Sequence, residues 1–187
     1  PALNLDRMNL NKAHLSGLDF REGDFGKTTF FDANLFATNF ENTNFKGARF
    51  FSANCIKTNF AHANLSEARL TFGRFAASNF SGANLSNANL NHADFRRSNF
   101  SRANLSYADL EGSKFMLADL TDCDLTRAST RSANFRDAVG LTLDAVSSMF
   151  GVREGFGITL LPKKLEYPDF WYVAEGAYEG ADEEGAD

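Results

Sequence analysis

Residues 83–107 read ANLSN-ANLNH-ADFRR-SNFSR-ANLSY. The third place of each unit is large and apolar: Leu85, Leu90, Phe95, Phe100 and Leu105. Followed outward in steps of five, the series runs from Leu5 to Phe135, 27 units with no insertion and no change of phase. Only Cys55 and Thr130 depart from Leu or Phe. Two places before each apolar position stands a small residue, Ala in most units and Ser, Thr or Gly in many others. The residue between the two is mostly Asn or Asp.

A period of five suits neither an amphipathic helix nor an alternating strand. Asn, Asp, Gly and Ser at this density favour turns. Short fixed units imply a solenoid, in which each unit buries its apolar residue only against a stacked neighbour. A longer period is visible too. Phe20, Phe40, Phe60, Phe80 and Phe100 recur every twenty residues, as do Phe75, Phe95, Phe115 and Phe135. Columns of like residues at that interval are what a coil of four five-residue sides produces. These rings, with Cys55 and Cys123, are the expected interior.

The units at 83–107 resemble the pentapeptide-repeat family, whose pattern is A(D/N)LXX. The resemblance spans about three quarters of the chain. It implies an all-β fold, a right-handed quadrilateral β-helix of about seven coils. At about 4.8 Å per coil the post is on the order of 32 Å long. The expected organisation is 1–138 for the solenoid, 139–151 for a capping helix and 152–187 for an aromatic and acidic extension.

The net charge of −5 divides unevenly. Residues 1–138 carry 16 Lys/Arg against 14 Asp/Glu, and residues 139–187 carry 3 against 10. No run is long and apolar enough for a membrane span. Cys55 and Cys123 fall in interior columns more than three coils apart, too far for a disulfide, so both are expected to be free and buried. The chain starts at Pro1, which leaves room for a removed targeting segment. The compartment stays open between the cytoplasm and, by the resemblance, a plastid or thylakoid lumen.

Both ends of the post break the pattern. Leu3, Met8 and Leu18 put bulky residues in the small column of the first coil, where they can plug an open end. After Phe135, Thr142 reads as a helix N-cap and Gly151 as the C-terminal stop, with Leu143, Val146, Met149 and Phe150 on one covering face. The resemblance also allows pairing of two copies through this end.

Positions that follow each interior residue point outward and are mostly polar. Phe31 and Phe51 share one outward column, Phe36 and Ile56 the next, and Phe72 lies one coil on. These five are expected to form one patch on two adjacent faces of coils two to four, with Met116 and Leu117 further along beyond Arg96 and Arg97. Exposed apolar patches mark contact sites, so these residues and Trp171 in the extension are the candidate partner-binding set. The alternative is that the C-terminal segment folds back over them.

No motif for phosphate, dinucleotide, zinc or acyl chemistry is present. His14, His62 and His92 sit on different coils, and the Asn/Asp column reads as turn-stabilising rather than calcium-binding. No catalytic residue, cofactor or metal is expected. Two functions stand. One is a protein–protein interaction or structural scaffold, a subunit or assembly factor of a larger complex. The other, which the resemblance suggests, is a DNA mimic that binds a topoisomerase such as gyrase. That mechanism wants an acidic rod, and the coils here carry about +2. Direct nucleic-acid binding lacks both a motif and a strong positive charge.

Overall fold

The computed structural model describes residues 3–154, 158–169 and 172–173. Its organising contact is a parallel bridge between each Asn/Asp-column residue and the one twenty places on, from Asn4↔Asp24 through Asp119↔Val139. Leu5 N donates to Asp24 O at 2.7 Å and Asp24 N donates to Leu3 O at 2.8 Å, and the pattern repeats up the post. The fold is the right-handed quadrilateral β-helix.

Between rungs the chain turns four times per coil. In the first turn Met8 N donates back to Leu5 O at 3.2 Å, and every later unit repeats the bond. The third residue of each turn has a positive φ, as a type II turn requires. In four units that residue is Gly17, Gly47, Gly82 or Gly112, but in the others it carries a side chain, including Phe72, Tyr107 and Leu117. No Val, Ile or Thr occurs in this column, in keeping with the steric cost of β-branching at positive φ.

The Asn/Asp column locks these corners. Asn59 Oδ1 accepts from Ala61 N at 3.1 Å, and Asn59 Nδ2 donates to Asn39 Oδ1 in the preceding coil at 2.9 Å. One side chain thereby closes its own turn and ties two coils together.

The interior is solid. Phe25, Phe30, Phe40 and every later Phe of the five-residue series are fully buried. Rings twenty apart lie nearly parallel, at 4.9 Å for Phe60–Phe80 and 4.7 Å for Phe80–Phe100. Neighbours around the coil meet edge-on, such as Phe40–Phe45 at 4.9 Å. Phe20 is the exception among the expected interior rings. It is only partly buried because it belongs to the first coil, as do the half-covered Leu5, Leu10 and Leu15.

Small-column hydroxyls are satisfied by backbone. Thr58 Oγ1 donates to Leu35 O and Ser78 Oγ to Cys55 O, both at 2.6 Å. Cys55 and Cys123 are free and buried. Burial pushes both thiols above their ordinary range, with Asp124 adding to the shift at Cys123.

The two ends differ. Leu3, Met8 and Leu18 keep nearly half their surface exposed. At the other end α1 (Leu143–Ser148) adds Val146 to the buried core, and Thr142 Oγ1 accepts from Ala145 N as its N-cap. The helix ends earlier than Gly151 suggests: Met149 is the C-cap, in extended conformation. Only Val146 and Met149 of the expected face are buried. Phe150 is exposed where the chain leaves the helix to continue the ladder, and Leu143 is exposed at the first position of the helix. Phe150 bridges Ser129, Leu160 bridges Asn134, and Arg127 N donates to Ser148 O at 2.7 Å. The hydroxyl of Thr130, the second departure from Leu or Phe, donates to Phe150 O at 3.0 Å. A short parallel pair, β1 (Val152–Glu154) with β2 (Tyr172–Val173), completes the described chain.

Candidate functional site

The type II corners decide what is displayed. Their two central residues hydrogen-bond between coils through the backbone, as Asp32 N does to Phe51 O at 3.1 Å, and turn their side chains outward, so a large apolar residue there meets solvent. Three coils place phenylalanines at one corner. Phe31 and Phe51 meet edge-on at 6.0 Å, and Phe51 meets Phe72 at 5.6 Å. The ridge extends one ring further than the sequence reading had it: His92 lies flat on Phe72 at 5.2 Å. The signal was available, since His92 is twenty residues after Phe72 in the same turn column.

Phe36 and Ile56 stand on the neighbouring corner. Lys57 Nζ sits 5.9 Å from the Phe36 ring centre. Among the described residues no ring contact joins Phe36 to the ridge, and the five residues stand on two adjacent corners. Leu117 is half exposed and Met116 partly buried, one coil beyond Arg96. Arg96 is engaged. Its Nε and Nη2 reach the Asp94 carboxylate at 2.8 and 2.6 Å. Partial burial raises the Asp94 pKa, but the hydrogen bonds and charge of Arg96 outweigh it and hold the carboxyl below its usual range. Trp171 lies outside the described residues.

The other flank of the ridge is basic. A groove of ≈ 410 Å³ is lined by Phe31, Arg49, Phe51, Arg69 and Thr71. Arg49 and Arg69 are exposed, and neither makes an ion pair among the described residues. Across the corner, Arg74 interrupts the asparagine ladder. Asn54 Nδ2 donates to Asn34 Oδ1 at 3.1 Å, but Asn54 Oδ1 is buried without a partner, because position 74 offers no amide. The opposite face keeps an unbroken ladder through Asn39, Asn59 and Asn79. Aromatic and basic residues therefore meet at this corner.

A smaller aromatic group lies near the helical end. The Arg127 guanidinium stands 5.7 Å from the Tyr107 ring and 5.4 Å from the Phe150 ring. Among the described residues there is no cluster of three or more His, Cys, Asp or Glu able to hold a metal, and no helix long and apolar enough to cross a membrane.

A family model for pentapeptide repeats matches eight copies, over residues 28–66, 47–76 and 78–115. No curated protein sequence matches the chain. Among solved structures, the pentapeptide repeat protein Rfr23 from the cyanobacterium Cyanothece 51142 is 22% identical, with 70% of this chain and 92% of that one covered and a TM-score of 0.47. One from the Arabidopsis thaliana thylakoid lumen is 24% identical, with 56% and 66% covered and a TM-score of 0.35. QnrB1, a plasmid-mediated fluoroquinolone resistance protein, is 18% identical, with 87% and 91% covered and a TM-score of 0.34. Likeness at this level brings no role to this chain.

Proposed function

The chain belongs to the pentapeptide-repeat proteins, and from that premise we propose that it works without catalysis, as a scaffold for protein–protein contact. The docking surface is the ridge of Phe31, Phe51 and Phe72, with Phe36 and Ile56 on the adjacent corner and Met116 and Leu117 as an outlying contact. One observation carries this reading: phenylalanine rings touch one another in solvent on a molecule whose interior already holds a full set. Phe51 and Phe72 are about half exposed, and a contiguous apolar surface rimmed by charge marks an interaction site. Aromatic residues and Arg are the types enriched at such interfaces. The packed interior also supports a non-catalytic role, since phenylalanine and leucine fill the space a substrate would need.

The duplex-mimic reading draws no support from this surface. An acidic rod is what a cationic DNA-binding cleft attracts, whereas this surface bears Arg49 and Arg69 on one side of the ridge and Arg74 and Lys57 on the other. The test substitutes Phe31, Phe36 and Phe51 by Ser in the full chain. Circular dichroism should stay that of the unsubstituted protein, and the proteins that co-purify from the native source should be lost. Retention of the same partners by the triple variant rejects the ridge as their site. Inhibition of DNA supercoiling by the purified protein would restore the topoisomerase reading.

A further inference from the structure

We infer that the groove beside the ridge is the seat of this chain's own acidic segment, residues 174–187. The inference rests on the reading of the ridge as a docking surface and names what occupies it. Residues 174–187 hold Glu175, Glu179, Asp182, Glu183, Glu184 and Asp187, with no Lys or Arg and one aromatic, Tyr178. The groove offers the complement: two exposed guanidinium groups without ion pairs among the described residues, beside two phenylalanine rings. Of the nearby acids, Glu67 is engaged by Lys46 at 3.2 Å, and Asp32 lies in the turn beside Phe31.

The point of departure lies over the same corner. Phe150 extends the column of Arg49 and Arg69, since it bridges Ser129, and Leu160 extends the column of Arg74, since it bridges Asn134. The chain between them leaves the ladder at the corner that carries Phe31, Phe51 and Phe72. It includes β1, on which β2 pairs, and β2 ends at Val173. The last described stretch before segment 174–187 therefore pairs with the chain that leaves the ladder at the ridge's corner.

The lengths agree. Phe72 lies about four coils below β1 and Phe51 about five, or roughly 19–24 Å at the ladder spacing. Fourteen extended residues reach about 46 Å, and the nine from Val173 to Asp182 reach about 30 Å. The densest acids, Asp182, Glu183 and Glu184, are thus within reach of Arg69 and Arg49. A protein that docks on the ridge must displace this segment.

The experiment uses a fluorescent peptide of residues 174–187 and three full-length chains. One is unsubstituted, one has its own segment neutralised (Asp182→Asn, Glu183→Gln, Glu184→Gln, Asp187→Asn), and one adds Arg49→Glu and Arg69→Glu to the neutralised chain. Fluorescence anisotropy should show the neutralised chain binding the peptide at least tenfold more tightly than the unsubstituted chain. That binding should weaken with salt and vanish in the third chain. A fourth, neutralised chain with Phe51→Ser and Phe72→Ser should also fail to bind, and serves if the Arg reversals disturb folding. Equal binding by the first two chains, or binding by neither, overturns the inference. So does an unsubstituted chain that sediments as a dimer and becomes a monomer on neutralisation, since the segment would then seat on a second copy. The assay contains no partner protein, so its failure leaves the scaffold reading to its own test.

Discussion

Replacing Phe80 with Ala tests the interior where a ring is closely stacked on both sides. Phe80 is fully buried. Phe60 and Phe100 lie above and below at 4.9 and 4.7 Å with planes 11° and 8° apart, and Phe75 and Phe95 flank it at 5.8 and 5.7 Å. Truncating a buried Phe costs about 3–5 kcal/mol. Stacked pairs contribute roughly 0.5–1.5 kcal/mol each beyond burial, and two are lost here, so the cost belongs near the upper end of that range. Domain stabilities are about 5–15 kcal/mol, so a third or more of the total is at stake. Phe80→Leu keeps much of the volume but still loses both stacks, so it should cost about 1–3 kcal/mol, less than Ala. Urea unfolding followed by circular dichroism gives the totals. Hydrogen exchange gives the location: coils touch only their neighbours, so protection should fall around Phe60, Phe80 and Phe100 and recover towards both ends. An Ala cost below about 1 kcal/mol, or equal costs for Ala and Leu, would refute the close packing of the ring on both sides.

Gly73→Ala should destabilise by about 1–3 kcal/mol, because a Cβ there meets the Phe75 ring and lies 2.9 Å from Leu70 O; a thermal melt checks it. Arg74→Asn should stabilise by about 1 kcal/mol, since the new amide can donate to the orphaned Asn54 Oδ1 as Asn54 Nδ2 does to Asn34; the denaturant midpoint should rise. Asp94 has a folded pKa below its unfolded value, so the Asp94–Arg96 pair adds stability above the ordinary carboxylate range, and that stability is lost as pH falls through the folded pKa. Arg96→Gln should therefore reduce stability at neutral pH and flatten its acid limb, as read from melts at graded pH.

Much of the fold was legible because its signal is local and repeated. One large residue in five, a small one two places earlier and an amide between them already state a four-sided coil once columns at twenty are noticed. The turn column carried an unread message as well: the absence of Val, Ile and Thr there marks positive φ. The ends were less legible. Leu143 and Phe150 look like a covering face by spacing, yet Phe150 is drawn into the ladder by Ser129 and Thr130, a competition the local pattern does not display.

For the candidate site the division is similar. The linear order alone determined that Phe31, Phe36, Phe51, Ile56 and Phe72 point outward, because outwardness follows from phase within each unit. Only the tertiary structure decided which of them touch. Phe31, Phe51 and Phe72 share a corner with His92 and border Arg49 and Arg69, while Phe36 faces Lys57 on the next. Contact across coils depends on rotamers and on residues twenty apart, and phase within a unit carries no information about either. The same reason hid the orphaned oxygen of Asn54: whether an amide is satisfied is set by the coil above it, where Arg74 stands in place of an asparagine.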